Sequence, residues 1–199
     1  MNKTIHFVFI DIGKGESYKN NKVFNDCYEA NKKKHPDYKI KLWNEEMIEE
    51  LINKYPNYKK MWDSFPHQFY KVDFCRYMFL YHEGGIYCDL DVIIDGEIDL
   101  TKDYLLGYWT NPENTSEKKY NNNLIYFKNK NIYKELMDFC YERYEKCKMP
   151  ISWTSRRMRY TVGDRCFTSF LKTKNIKEYD DEYTIPITDY QLVSWYPLK

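Results

Sequence analysis

Two aspartates two residues apart, Asp89 and Asp91, follow the apolar run Ile86-Tyr87-Cys88 and precede Val92-Ile93-Ile94. In an extended segment, residues i and i+2 point to the same side. Two hard oxygen ligands on one side suit Mg²⁺ or Mn²⁺, with phosphate oxygens completing the shell. Ligand sites of α/β sheets lie at the carboxyl ends of strands, where this pair falls. Alone the pattern is weak, because most such pairs are solvated turns. An EF-hand reading fails: counted from Asp89, Ile93 and Ile94 stand where an oxygen ligand and a glycine are needed. No His-x-x-x-His and no Gly-x-x-x-x-Gly-Lys occurs, which sets aside a helicase or P-loop kinase.

Asp73 and Arg76 stand three apart on the helix that feeds this strand, so they share a face. A surface ion pair at that spacing is worth only about 0.2–0.5 kcal/mol. Both residues, however, fall among Phe69, Val72 and Phe79 on the helix's apolar side. Charged groups there need a partner or a ligand.

The elements that must position these residues read as an alternation. Residues 4–10 form a buried strand, interrupted only by His6 and ended by the loop Asp11-Ile12-Gly13-Lys14-Gly15. Residues 21–34 have helical spacing, and Tyr38, Ile40 and Leu42 alternate as a half-buried strand. This is a βαβ unit with a parallel pair. Asn44 caps a helix running to about Lys54; a short helical piece lies between Pro56 and Pro66. The helix over 67–83 is stopped by Gly84-Gly85. Strands follow at 86–88, 92–94, 104–109 and 123–127, with a polar loop over 111–122. Helices cover 132–147 and 165–172, and the tail from 184 is extended and aromatic. The alternation predicts one α/β domain over 1–199, with a mixed, mostly parallel sheet flanked by helices. Residues 1–110 and 111–199 read as its two halves.

Composition limits the alternatives. The chain has 199 residues, 31 Lys+Arg against 30 Asp+Glu, and 19% aromatic residues. The balanced charge argues against a nucleic-acid-binding domain, and the apolar content argues against disorder. The 21 tyrosines offer apolar area with a polar tip, suited to core edges and to sugar or nucleotide surfaces. No apolar run reaches the length of a membrane span, and the first ten residues lack the pattern of a signal peptide. Six cysteines lie singly, which favours a reduced, cytoplasmic setting over a disulfide framework or a zinc site. Lys32-Lys33-Lys34 and Arg156-Arg157-Met158-Arg159 read first as solvated faces. The arginine cluster, with Trp153 and Tyr160, is the better candidate for an acceptor or for peripheral contact with an anionic membrane surface.

The run from Asp73 to Asp91 (DFCRYMFLYHEGGIYCDLD) resembles the signature of the family 32 glycosyltransferases, with a DXD sugar-binding region. The large clostridial glucosylating toxins are distant relatives of that family. Ile5-His6-Phe7-Val8-Phe9-Ile10 resembles the family's first strand, and His35-Pro36-Asp37-Tyr38 through Leu42-Trp43 its second. The resemblance covers about residues 4–100 and implies a GT-A fold.

It also implies a reaction: transfer of a hexose from a UDP- or GDP-sugar, with UDP favoured, and with retained anomeric configuration. Carried over, Asp91 would bind Mn²⁺ or Mg²⁺ directly, and Asp89 through water or by way of the donor's hydroxyls. Asp73 and Arg76 would hold the donor sugar and its phosphate side. Val8 and Phe9, at the end of strand one, would hold the base, with Phe9 where the family often has tryptophan. The donor-binding set also takes in Gly85, Tyr87 and Leu90. Near the carboxyl end the family has a metal-ligating histidine before Ser-Trp. Here Ser194-Trp195 follows Asp189, which either replaces that ligand or is a turn residue. Ser194 and Trp195 would close over the pyrophosphate or pack in the core. Gly163-Asp164 stands near the family's Thr-Gly-Pro and reads as an ordinary helix cap or as a helix terminus facing acceptor or phosphate. The acceptor would be a glycan or glycolipid. The alternatives are a protein acceptor, as for a toxin, and an inactive nucleotide-sugar-binding module.

Overall fold

The computed structural model describes residues 2–11, 17–111, 114–146, 159–177 and 179–190. The first strand, β1 (Thr4–Val8), is buried along its whole length. Helix α1 (Lys22–Lys34) starts where the Asn21 side chain accepts from the Val23 and Phe24 amides. Strand β2 (Lys39–Trp43) then pairs parallel with β1, Ile5 opposite Ile40. Helix α2 (Glu45–Ile52) is capped by the Asn44 side chain on the Met47 amide, as the sequence predicts. Helix α3 (Pro56–Asp63) begins on its proline, whose missing N–H is no loss at that position.

Helix α4 (Gln68–Glu83) is buried nearly all round, with Tyr70, Phe74, Tyr77, Met78, Phe79 and Leu80 enclosed. The chain leaves it through Gly84 and Gly85, whose φ angles of 73° and 91° favour residues without a Cβ. Strands β3 (Ile86–Cys88), β4 (Val92–Ile94), β5 (Tyr104–Asn111) and β6 (Asn114–Phe127) follow. Helices α5 (Asn131–Lys146) and α6 (Asp164–Thr173) precede the short strand β7 (Ile187–Asp189).

The main sheet runs β2-β1-β3-β6-β5. Strand β1 is parallel to β2 and β3, while β6 is antiparallel to β3 and β5. Four strands therefore share one direction and β6 opposes them. Strand β4 leaves this sheet and pairs antiparallel with β7. Its other side is held by Asn31 of α1, which donates to the Val92 carbonyl (2.8 Å) and accepts from the Ile94 amide (2.9 Å).

One face of the sheet packs Tyr87, Ile125 and Phe127 against Phe74, Phe79, Tyr133 and Phe167 of the helices. The other packs Ile5, Phe7, Ile86, Cys88 and Leu124 against β4 and α1. A fully buried residue of this kind contributes about 1.5–3 kcal/mol, so strands of three residues persist through packing more than through their few ladder bonds. Cys27, Cys75, Cys88, Cys140 and Cys166 are buried and free. No helix among the described residues is long and apolar enough to cross a membrane.

The polar loop expected over 111–122 is corrected. Strand β6 extends back to Asn114, with Tyr108 opposite Tyr120 and Trp109 opposite Lys119. Such a ribbon, paired through its backbone with β5, needs no run of apolar residues on either face.

Candidate active site

Arg76 is the centre of the site and only 4% exposed. Its Nη2 lies 2.8 Å from Asp73 Oδ1, and its Nη1 lies 3.3 Å from Asp89 Oδ1. Nη1 also donates to the Asn122 carbonyl (2.7 Å), and Nε to the Val72 carbonyl (3.3 Å). The guanidinium sits 4.5 Å from the centre of the Tyr87 ring. Burial disfavours its charge, but Tyr87, Asp89 and Asp73 together hold its pKa above the ordinary value. The surface-pair reading is therefore excluded. Removing one partner from a buried pair typically costs about 3–5 kcal/mol, an order of magnitude more than an exposed pair is worth.

The carboxylates are under strain of a different kind. Burial pushes Asp73 above the usual carboxylate range; Arg76 opposes this and Asp164 adds to it. Burial pushes Asp89 up to about 7, with Arg76 opposing and Asp91 adding. The Tyr87 hydroxyl donates to Asp89 Oδ1, and the Asp89 amide donates to the Asn123 carbonyl at 2.8 Å.

Strand β6 bulges here. Its register against β5 jumps between Leu106, opposite Ile125, and Tyr108, opposite Tyr120. Bulges re-aim side chains. Asn122 turns to α4, donating to Asp73 Oδ1 (3.1 Å) and the Tyr77 hydroxyl (3.3 Å). Asn123 turns to β7, donating to Asp189 Oδ2 (2.7 Å). The sequence reading gave neither asparagine a role; the only signal was an Asn-Asn-Asn run across the expected border between loop and strand.

Asp189 stands opposite Val92, the residue after Asp91, and the Tyr190 amide donates to the Asp91 carbonyl (3.0 Å). Burial chiefly raises the thiols of Cys27 and Cys88, and Asp91 and Asp189 both add to that push. Among the described residues, no three His, Cys, Asp or Glu side chains converge as a metal cage. The expected trio Asp89, Asp91 and Asp189 is thus not preassembled. Asp89 is turned to Arg76 and Tyr87, and Asp189 to Asn123. The donor set still fits a hard divalent cation. It is all oxygen, and the upward push of Asp91 on Asp89 is repulsion that a cation would relieve.

The remaining expected residues divide. Val8 ends β1 with its side chain in the core, so only its backbone can face a ligand. Phe9 packs beside Tyr18 and Phe24, ring centres 6.2 and 6.3 Å away. Leu90 is buried under β4, leaving its main chain between the two aspartates. Tyr87 is fully enclosed and acts on Arg76 and Asp89. Gly85 lies at the amino end of β3, where an added Cβ would stand 2.6 Å from the Thr4 carbonyl oxygen. It serves the α4–β3 junction, because a side chain has no room there. Gly163 caps α6, and an added Cβ would stand 2.9 Å from Asp73 Oδ2. Arg159 and Asp164 pair beside it through Nε and Oδ1 at 2.7 Å. Ser194, Trp195 and residues 153–158 lie outside the described residues.

Residues 21–107 match the family model described as glycosyltransferase sugar-binding region containing DXD motif. Inositol phosphoceramide mannosyltransferase 3 of Schizosaccharomyces pombe is 39% identical over 94 residues, 47% of this chain and 25% of that protein. Mannosyl phosphorylinositol ceramide synthase SUR1 of Saccharomyces cerevisiae is 38% identical over 66 residues, 33% of this chain and 17% of that protein. The matches thus span about a quarter or less of these two relatives. Among solved structures, PaToxG glycosyltransferase superposes with a TM-score of 0.56 and 20% identity, over 87% of this chain and 69% of that one. Asp73, Arg76, Asp89 and Asp91 all fall inside the stretch that matches this family model, and the fold that carries them is GT-A-like.

Proposed function

We propose that the protein is a metal-dependent, retaining glycosyltransferase that moves a hexose from a nucleoside-diphosphate sugar to a glycolipid or glycan. The observation that carries this is the Arg76 network. A buried, permanently charged guanidinium joins Asp73 to Asp89 at the carboxyl end of β3. A preorganised guanidinium beside carboxylates that can hold a cation suits a departing diphosphate, on which negative charge develops. Asp91, and Asp89 through water, would hold Mn²⁺ or Mg²⁺, with Asp189 next to them. When bound, the cation stabilises negative charge on the departing diphosphate.

This chain's own groups supply the rest. Arg76 is a preorganised donor to the phosphate side, already desolvated, so it needs no reorganisation as charge develops. Asp73, held by Arg76 and Asn122, would accept hydrogen bonds from the sugar's hydroxyls. The Val8–Phe9 end of β1 would support the base. The names of the sequence relatives favour a mannosyl donor and an inositol-phosphate lipid acceptor. A peripheral membrane setting agrees with such an acceptor.

Calorimetric titration of UDP and GDP, each with and without Mn²⁺, tests the reading. Metal-dependent binding of one nucleotide is expected and chooses the base. Binding of neither by folded protein would overturn it in favour of a module without turnover.

A further inference from the structure

Asn122 and Asn123 are neighbours in the β6 bulge, 6% and 3% exposed, yet they serve different halves of the site. We propose that this dipeptide is a positioning clip: Asn122 holds Asp73 for the donor sugar, and Asn123 holds Asp189 beside the Asp89–Asp91 pair for the cation. The inference rests on the glycosyltransferase reading above and assigns two positioning residues within it.

Asn122 makes two kinds of contact. Its carbonyl seats Arg76 Nη1, and any residue at 122 can provide that. Its side-chain amide reaches Asp73 Oδ1, and that contact belongs to asparagine. Replacing the side chain therefore loosens Asp73 while Arg76 stays seated.

Asn123 carries the second half. Its Nδ2 must face Asp189, because the flipped amide would set Oδ1 against a carboxylate. In that orientation Oδ1 is buried without a hydrogen-bond partner. It lies over Gly107, where an added Cβ would collide with it. A buried acceptor left unpaired typically costs about 1–3 kcal/mol. Stability alone favours an apolar residue at 123. An asparagine there is explained by what its other end holds, and such a cost is expected where function overrides stability.

The test uses the full chain with Asn122→Ala, Asn122→Ser, Asn123→Ala and Gly107→Ala. Its readouts are melting temperature, calorimetric binding of the nucleoside diphosphate with and without Mn²⁺, and steady-state turnover of the nucleotide sugar. Asn123→Ala should weaken Mn²⁺-dependent nucleotide binding about tenfold and leave metal-free binding unchanged. It should not lower the melting temperature, since an unpaired acceptor is removed. Gly107→Ala, which displaces the Asn123 amide sterically, should reproduce the metal-side loss.

The Asn122 variants should keep the metal-dependent nucleotide affinity within twofold while kcat for the sugar falls about tenfold or more. If the two positions lose both functions together, in proportion to melting temperature, they are structural and the clip is refuted. An unchanged readout at either position refutes its half. Wild-type protein that shows no metal-dependent nucleotide binding refutes the enzymatic reading itself, and the clip with it.

Discussion

Two buried polar networks lie on the helix-facing side of one sheet, and they are built on opposite rules. The first joins β1, β2 and the turn after α4. Trp43 Nε1 donates to His6 Nδ1 (3.0 Å), and His6 Nε2 meets the Gly84 carbonyl (2.8 Å). With Nδ1 accepting, Nε2 carries the proton, and the ring is neutral and satisfied at both nitrogens. Burial drives its pKa down to about 4, which keeps it neutral. The second network, at the carboxyl end of β3, sets one cation among three carboxylates: Asp73, Asp89 and the nearby Asp91. Its charges do not cancel. A closed neutral network locks strands together, whereas a network with surplus negative charge leaves something for a ligand to complete.

Four results would break or sharpen that contrast. Arg76→Ala has the largest expected effect, because it leaves a cavity in the core and the half-buried Asp73 and Asp89 without their cation. Urea denaturation should show a loss of about 3–5 kcal/mol; a loss below 1 kcal/mol would mean the guanidinium is no keystone. Asp91→Ala should leave the fold intact but reduce Mn²⁺-dependent nucleotide binding about 100-fold or more, equivalent to about 2.7 kcal/mol. Undiminished binding would remove Asp91 from the site.

His6→Leu should show the reverse. It orphans the Trp43 N–H and the Gly84 carbonyl, each costing about 1–3 kcal/mol. Nucleotide affinity, measured where the variant is still folded, should stay within twofold. A parallel loss would merge the two networks into one.

The last test is the pH dependence. The unfolded histidine titrates near 6.5 and the folded one near 4. Between those values the unfolded chain holds the extra proton, so His6 makes stability rise with pH across that window and fall on acidification. Asp89, raised to about 7 in the fold, acts with the opposite slope between its unfolded value and 7. Melting curves from pH 4 to 7 should therefore tilt one way in His6→Leu and the other way in Asp89→Asn. Equal tilts would show that neither group carries the dependence.

The legibility of the chain follows the same division. Elements with a local chemical cause can be read from the sequence. Asn44 starts a helix because its side chain reaches Met47, and Gly84 stops one because φ is positive. Asp73, Arg76, Asp89 and Asp91 stand out because their spacing fixes a common face. The bulge in β6 has no local cause. It shows only in the pairing of β6 with β5, so Asn122 looks like a loop residue and Asn123 like an ordinary strand start until the sheet is assembled. Gly85 belongs to the motif in sequence and stands at the opposite end of β3 from Asp89, a separation visible only in the fold.

The five buried thiols have a practical consequence. Burial raises Cys75 and Cys88 well above the free-thiol range and Cys27 to about 11, so the reactive thiolate is scarce in the folded protein. An alkylating reagent can modify these positions only during transient opening. Cys88 and Cys27 report from beneath the aspartate pair, Cys75 from α4, and Cys140 and Cys166 from the seam between α5 and α6, their sulfurs 3.6 Å apart. The native cysteines are thus a set of built-in clocks. Mass spectrometry of alkylated peptides, with and without nucleotide and metal, would time how each part of the molecule breathes without introducing a single label.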